Sequence, residues 1–409
     1  MSQARDDFLT HLAQTSDSPL GLEIDRAEGC WLYTCDGRRY LDLIAGIGVS
    51  ALGHGHPAVL AAIHRQLRRH LHVMVYGEYV LETQAELAAE LARVLPPGLD
   101  RVYFTNSGAE AIEGALKTAR KYTGRAAFAA FDGAYHGDTM GALALAGNAE
   151  FRAPFGDLPG PVLHLPYDDE AALQAIDQRV AAVVVEPVQA EGGVRIPHRS
   201  FIEALRGRCS QCGALLIFDE VLTGLGRTGR LFALEHFGVT PDIVVLAKAL
   251  GGGLPLGAFC APDAIMTVLS RDPPLGHITT FGGHPLSCAA GGATLKTILE
   301  QQLWERADKV GALMRGRLAE VLGREVIDIR GAGLLIGIEF ADTSMTRQFV
   351  AETLSRGVIV NWTLNADRVV RLAPPLTISE EEIDFAVRAM KEASIAARKS
   401  SIADSSRQQ

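Results

Sequence analysis

Residues 214–220, Ala-Leu-Leu-Ile-Phe-Asp-Glu, and residues 241–253, Pro-Asp-Ile-Val-Val-Leu-Ala-Lys-Ala-Leu-Gly-Gly-Gly, carry the reading of the fold. Each holds a short apolar run without polar alternation, and each run ends at a charged residue, Asp219 in one and Lys248 in the other. A strand reads this way when both of its faces are covered, as in a parallel sheet between two helix layers. Working outward, runs of the same kind stand at 102–104, 126–131, 181–185 and 258–260. Helical periodicity fills gaps between them, as at 110–122 and 201–212. The pattern predicts an α/β fold whose large, mostly parallel sheet occupies roughly residues 60–290.

The flanks read differently. Residues 29–42 predict two strands around the turn Asp36-Gly37. From about residue 302, long helices mix with strands at 333–339 and 369–372, which predicts a smaller α+β unit packed with the N-terminal strands. The expected organisation is an N-terminal segment 1–59 joining the small domain, a large domain 60–297, a small domain 298–395 and a flexible polar tail 396–409. The 409 residues are 48% hydrophobic, enough for a sizeable core. A net charge of -9 argues against a nucleic-acid surface. No apolar run is long enough to span a membrane. The first residues lack the apolar stretch of a signal peptide, so a cytoplasmic home is expected. The six cysteines form no disulfide framework. Cys209 and Cys212 read as neighbours on a helix, and His54 and His56 as part of a Gly/Pro turn, so no metal is expected.

Ligands of open α/β sheets sit beyond the carboxyl ends of the strands. Beyond the run 102–104 come Ser107, Gly108, Ala109 and Glu110; beyond 126–131 come Tyr135, His136, Gly137 and Asp138. Glu186, Gln189 and Glu191 follow 181–185, and Asp219 and Glu220 close the run that began this reading. Ser107 and Glu110 have the spacing of a capping box at the start of a helix, a place that also suits a phosphate. Asp219 on a buried strand is compatible with an ATPase. That chemistry needs a glycine before the P-loop Lys-Ser/Thr pair, and Lys117-Thr118 and Lys399-Ser400 follow Leu116 and Arg398 instead. The other use of such an aspartate is to face a pyridinium nitrogen. Pyridoxal phosphate needs that acid and a lysine for its Schiff base, and Lys248 ends the next strand, where desolvation favours a neutral amine.

At these residues the chain resembles the class III (omega) aminotransferases, within the fold-type I pyridoxal phosphate enzymes. The strings that carry the likeness are Asn-Ser-Gly-Ala-Glu-Ala at 106–111, Glu-Pro-Val-Gln-Ala-Glu-Gly-Gly at 186–193, and Leu-Ile-Phe-Asp-Glu-Val-Leu-Thr-Gly-Leu-Gly-Arg-Thr-Gly at 216–229. The string 241–253 belongs with them, as does Thr-Thr-Phe-Gly-Gly-His-Pro-Leu-Ser-Cys-Ala-Ala at 279–290. The look is closest to the acetylornithine, ornithine and 4-aminobutyrate branch. The resemblance implies that Lys248 binds the cofactor and shuttles the proton, while Asp219 pairs with the ring nitrogen. It implies that Ser107, Gly108 and Ala109 hold the phosphate, that Tyr135 stacks on the ring, and that Gln189 lies near the phenolic oxygen. His136, Glu186, Val221 and Leu222 complete the expected cofactor pocket. Thr280 would reach the phosphate of a second subunit, which implies a homodimer with shared sites.

Substrate positions follow from the same likeness. Arg371 would fork the α-carboxylate of glutamate or 2-oxoglutarate, and Glu191 would pair with that arginine when an amine occupies the site. Thr279, Ile47, Val49 and Tyr76 are further candidates for the substrate wall. Two positions depart from the branch. Asp138 stands where an arginine usually follows aromatic-His-Gly, and Leu222 stands where Gln is usual. Tyr-His-Gly-Asp also occurs in diaminopelargonate aminotransferases. The expectation is an amino-group transfer from an amine or ω-amino compound to a 2-oxo acid, such as 2-oxoglutarate or pyruvate, by a ping-pong route. Acetylornithine-type or diaminopelargonate-like transfer are the alternatives on this scaffold, followed by mutase, racemase or decarboxylase chemistry.

Overall fold

The apolar runs fold as strands of one sheet in a computed structural model that describes residues 2–407, with side chains through Lys399. In chain order the strands are β1 (Ile24–Glu28), β2 (Trp31–Thr34), β3 (Arg39–Asp42), β4 (Arg101–Thr105), β5 (Ala127–Phe131), β6 (Val162–Leu165), β7 (Val180–Val185) and β8 (Leu215–Asp219). They continue with β9 (Ile243–Leu246), β10 (Gly257–Ala261), β11 (Asp328–Ala332), β12 (Leu335–Glu339), β13 (Val358–Ile359), β14 (Asn361–Trp362) and β15 (Val369–Leu372). Strands β4 to β10 form a seven-stranded sheet in the order β4-β10-β9-β8-β7-β5-β6. From β9 to β6 every neighbour is parallel. Only β10 runs against its neighbours, β4 and β9. The tight turn Lys248–Gly251 and the left-handed Gly252 and Gly253 reverse the chain after β9 and send it back as β10.

Both faces of this sheet are covered, as the unbroken apolar runs require. Leu216 and Phe218 enter the core on one face, and Leu215 and Ile217 enter the other. Burying each such side chain stabilises the fold by about 1.5–3 kcal/mol. The helix Gly108–Thr123 follows β4, and the helix Arg199–Cys212 leads into β8. Cys209 and Cys212 are both buried on that second helix, and burial pushes the Cys209 thiol up to about 12. Strand β6 escapes the sequence pattern because it is only four residues long, contains His164 and lies between Pro161 and Pro166.

The ends of the chain meet. β1, β2, β3 and β13 form one sheet, with β13 parallel to β3 and Val358 opposite Leu41. β11, β12, β15 and β14 form the third sheet. β1, with the sequence Ile-Asp-Arg-Ala-Glu, carries too little apolar material to be foreseen. The helix Glu380–Arg407 runs through residues 396–407, the stretch expected as a polar tail; residues 408 and 409 lie outside the described residues. No helix among the described residues is long and apolar enough to cross a membrane.

Candidate active site

The carboxyl ends of β4, β5, β7, β8 and β9 open into a cavity of about 640 Å³. Ser107, Gly108 and Ala109 line it from the start of the helix Gly108–Thr123. Ser107 caps that helix by accepting from the Glu110 N–H at 3.2 Å. The capping box is only half formed, because the Glu110 carboxylate grips Asn106 instead, accepting from its backbone N–H at 2.7 Å and its side-chain amide at 2.8 Å. The N–H groups of Gly108 and Ala109 find no acceptor among the described residues. Two close approaches keep this cradle tight. A Cβ on Gly137 would come within 2.5 Å of the Ala109 Cβ, and one on Gly257 within 2.2 Å of the Ser107 carbonyl oxygen. Free N–H groups at the positive end of a 16-residue helix suit an anion such as a phosphate.

Asp219 ends β8 at the floor of the cavity. One carboxylate oxygen accepts from the Val221 N–H at 2.9 Å, and the other lies 2.7 Å from His136 Nδ1. Burial opposes a charge on His136, but the hydrogen bond and charge of Asp219 outweigh it and hold the imidazole above its usual value. Glu186 accepts from the Tyr135 and Ala190 N–H groups at 3.0 and 3.1 Å, and burial pushes its carboxyl up to about 7. Lys248 follows β9 with a left-handed backbone, φ 49°. Burial, and then the charge of Arg371, pull its ammonium below the usual value; Glu191, Asp219 and Glu186 pull it back up. A lysine poised toward neutrality, a fixed carboxylate and a phosphate cradle around one cavity fit pyridoxal phosphate in each of its functional parts.

The substrate side is built from different elements. Arg371, on β15, is fully buried and paired with the buried Glu191. Glu191 holds a second contact through its other oxygen, which accepts from the Leu364 N–H at 2.9 Å. Tyr135 donates its hydroxyl to Asp138 at 2.8 Å; burial first and this bond second raise the phenol above its usual range. Asp138, Tyr135, Val49, Val221 and Leu222 all line the cavity. Glu113 was not foreseen. It accepts from the Thr139 hydroxyl at 2.7 Å and from the Gly141 and Ala142 N–H groups at 2.8 and 3.2 Å, and so fixes the loop that carries Asp138. In the sequence it is indistinguishable from a solvated helix glutamate.

Several expected positions lie elsewhere. Ile47 does not line the cavity: the backbone is left-handed at each residue from Ala45 to Gly48, and Ile47 is exposed. Tyr76 and Thr279 share a separate cavity of about 380 Å³. Thr279 accepts from the Asn106 side chain at 3.1 Å. Gln189 is buried behind the wall, its amide nitrogen donating to Asp132 O at 2.9 Å and its Oε1 left without a partner. Thr280 is exposed and outside the cavity of its own chain. Leu222 packs where a Cβ on Gly48 would come within 2.4 Å of its Cδ1.

The profile of the aminotransferase class-III family matches residues 12–394. An acetylornithine aminotransferase from Methanopyrus kandleri is 46% identical over 368 residues, covering 90% of this chain and 92% of that protein. A putrescine aminotransferase from Pectobacterium atrosepticum is 42% identical over 377 residues, covering 88% of this chain and 79% of that protein. Among solved structures, an ornithine aminotransferase from Toxoplasma gondii superposes with a TM-score of 0.89 at 32% identity, covering 97% of this chain and 95% of that one; that structure has pyridoxal phosphate at partial occupancy in its active site. On a likeness of this length, the chain belongs to the class-III aminotransferases, and it transfers amino groups with pyridoxal phosphate.

Proposed function

We propose that this aminotransferase takes its amino group from a primary amine or ω-amino compound whose far end carries no carboxylate, and delivers it to a 2-oxo acid. The observation that carries this reading is Asp138 on the cavity wall, bonded to Tyr135. A substrate carboxylate about 4 Å from Asp138 would be repelled by about 1–4 kcal/mol, between bulk-water and protein-surface dielectrics. An ammonium there is attracted by the same amount. Among the described residues lining the cavity there is no arginine to offset that repulsion. The likeness to a putrescine aminotransferase supports a substrate with an amine at each end.

The division of labour follows from the residues. The cofactor, when bound, supplies an electron sink for the carbon that carries the transferred nitrogen. Gly108 and Ala109 hold its phosphate through their N–H groups. Asp219, held in place by His136, would pair with its ring nitrogen. Lys248 Nζ, whose ammonium burial disfavours, is the base that removes the proton from the substrate carbon and the acid that returns it. Glu191 covers Arg371 while an amine reacts. It moves aside when a 2-oxo acid enters, leaving the guanidinium to bind the carboxylate. We also propose a homodimer. Thr280 is exposed next to Ile278 and Phe281, which are 52% and 54% exposed, so a second chain would cover this segment and receive Thr280 in its own site.

A second reading, acetylornithine transfer, is favoured by the relative from Methanopyrus kandleri. A panel of single-turnover reactions, followed through the absorbance of the bound cofactor, separates the two. Rapid reaction with diamines and simple primary amines is expected. Rapid reaction with N-acetylornithine or 4-aminobutyrate, with the amines inert, would overturn the amine reading.

A further inference from the structure

Glu191 is gripped from one side by a single hairpin. β14 and β15 pair antiparallel, with Asn361 opposite Arg371, and residues 363–368 connect them. That hairpin supplies the Arg371 guanidinium to one oxygen of Glu191 and the Leu364 N–H to the other, at 2.9 Å. The same connection reaches past Glu191 to the sheet edge. The Asn365 N–H donates to the Glu191 carbonyl at 2.9 Å, and the Asn365 side-chain amide donates to the carbonyls of Gly133 and Ala134 at 3.0 and 3.2 Å. Thr363 stiffens the turn by donating its hydroxyl to Ala366 O at 2.7 Å. At the far end, Ala366 packs so closely on Gly193 that a Cβ there would come within 3.0 Å.

We propose that the 363–366 connection is a strap that sets the cost of moving Glu191 off Arg371, with Asn365 the residue that fastens it. The inference rests on the reading of Glu191 and Arg371 as alternating partners. Glu191 cannot leave Arg371 without also giving up the Leu364 N–H. That N–H is held in place because Asn365 ties the strap to the turn before Tyr135. Fastening the strap favours the closed pair, hence the amine, and loosening it favours an incoming acid. Asn365 is therefore a positioning residue. It touches neither substrate nor cofactor, and it acts on the balance between the two half-reactions.

Glutarate, a dicarboxylate with no reactive oxo group, is the probe. Its affinity for the holoenzyme is measured by calorimetry, alongside single-turnover rates with an amine and with 2-oxoglutarate. In Asn365→Ala, the loss of the side-chain fastening is expected to tighten glutarate binding and lower the 2-oxoglutarate KM by roughly 2- to 10-fold, the worth of a hydrogen bond. The amine kcat/KM should hold or fall. Asn365→Ser, which keeps one donor, should lie between, and it serves if the alanine variant does not fold. In a Glu191→Gln background the Asn365 effect should shrink to nothing, because it acts through that carboxylate. If Asn365→Ala leaves glutarate affinity unchanged, weakens it, or moves both half-reactions together, the strap is overturned. If Glu191→Gln itself leaves glutarate affinity and the ratio of the half-reactions unchanged, the alternating-partner reading fails first, and the strap with it.

Discussion

The two walls of the cavity are made in different ways. The cofactor wall stands on strand ends: Lys248 after β9, Asp219 at the end of β8, and the cradle Ser107–Ala109 between β4 and its helix. Its charges are fixed by backbone N–H groups and by buried partners such as His136. The substrate side stands on loops and a hairpin: Asp138 after β5 and Glu191 after β7 line the cavity, and Arg371 on β15 lies behind Glu191 as its ion-pair partner. Its charges are held by side chains: Glu191 pairs with Arg371, and Asp138 accepts from Tyr135. A reaction common to many enzymes is thus held by the rigid sheet, and the choice of substrate is left to segments that can change without disturbing it.

Substitutions on the two walls should therefore fail differently. The largest effect is expected from Lys248→Ala. Amino transfer should fall by about 10²–10⁴-fold or more, with the loss of a general acid–base and of the attachment point for the cofactor. Single-turnover assays measure it, and the visible absorbance of the bound cofactor should change with it. Asp219→Asn should come next, with a loss of about 10²–10³-fold if its charge steadies the reacting system as a fixed electrostatic partner.

Asp219→Asn also makes a prediction about pH. Because His136 is held above its usual value by Asp219, the protonated pair contributes stability that is fully present below about pH 6.5 and is lost as pH rises through the raised value. Urea unfolding across pH 5–9 should show that decline in the parent protein and a flatter profile in Asp219→Asn. On the other wall, Asp138→Arg should leave cofactor binding intact. It should raise kcat/KM for a substrate with a far-end carboxylate by about 10–100-fold, the worth of a charged hydrogen-bonded pair. A change of similar size for all substrates would show that Asp138 shapes the cavity without selecting its occupant.

The contrast between the walls also explains what the sequence disclosed. Lys248 and Asp219 were legible because each ends an unbroken apolar run, and a charge at the end of a doubly covered strand has few other uses. Glu191 and Arg371 are far apart in the chain, and only the family resemblance brought them together. Ile47 lies outside the cavity lining, on a stretch of four successive left-handed residues, Ala45 to Gly48, that no side-chain pattern records. Gln189 follows the right strand but turns behind the wall to bond Asp132. The grip of Leu364 on Glu191 left no trace, since it is made by a backbone N–H that every residue but proline possesses. Glu110 shows the same limit on a smaller scale, for its spacing suited Ser107 while its carboxylate closed on Asn106.

Selection by Asp138 of an amine without a far-end carboxylate underlies the proposed function. It is tested most directly by competition. 1,4-Diaminobutane and N-acetylornithine are supplied together at equal concentration with a limiting amount of 2-oxoglutarate, and the two carbonyl products are quantified. The diamine product is expected to predominate. Preferential consumption of N-acetylornithine would contradict it.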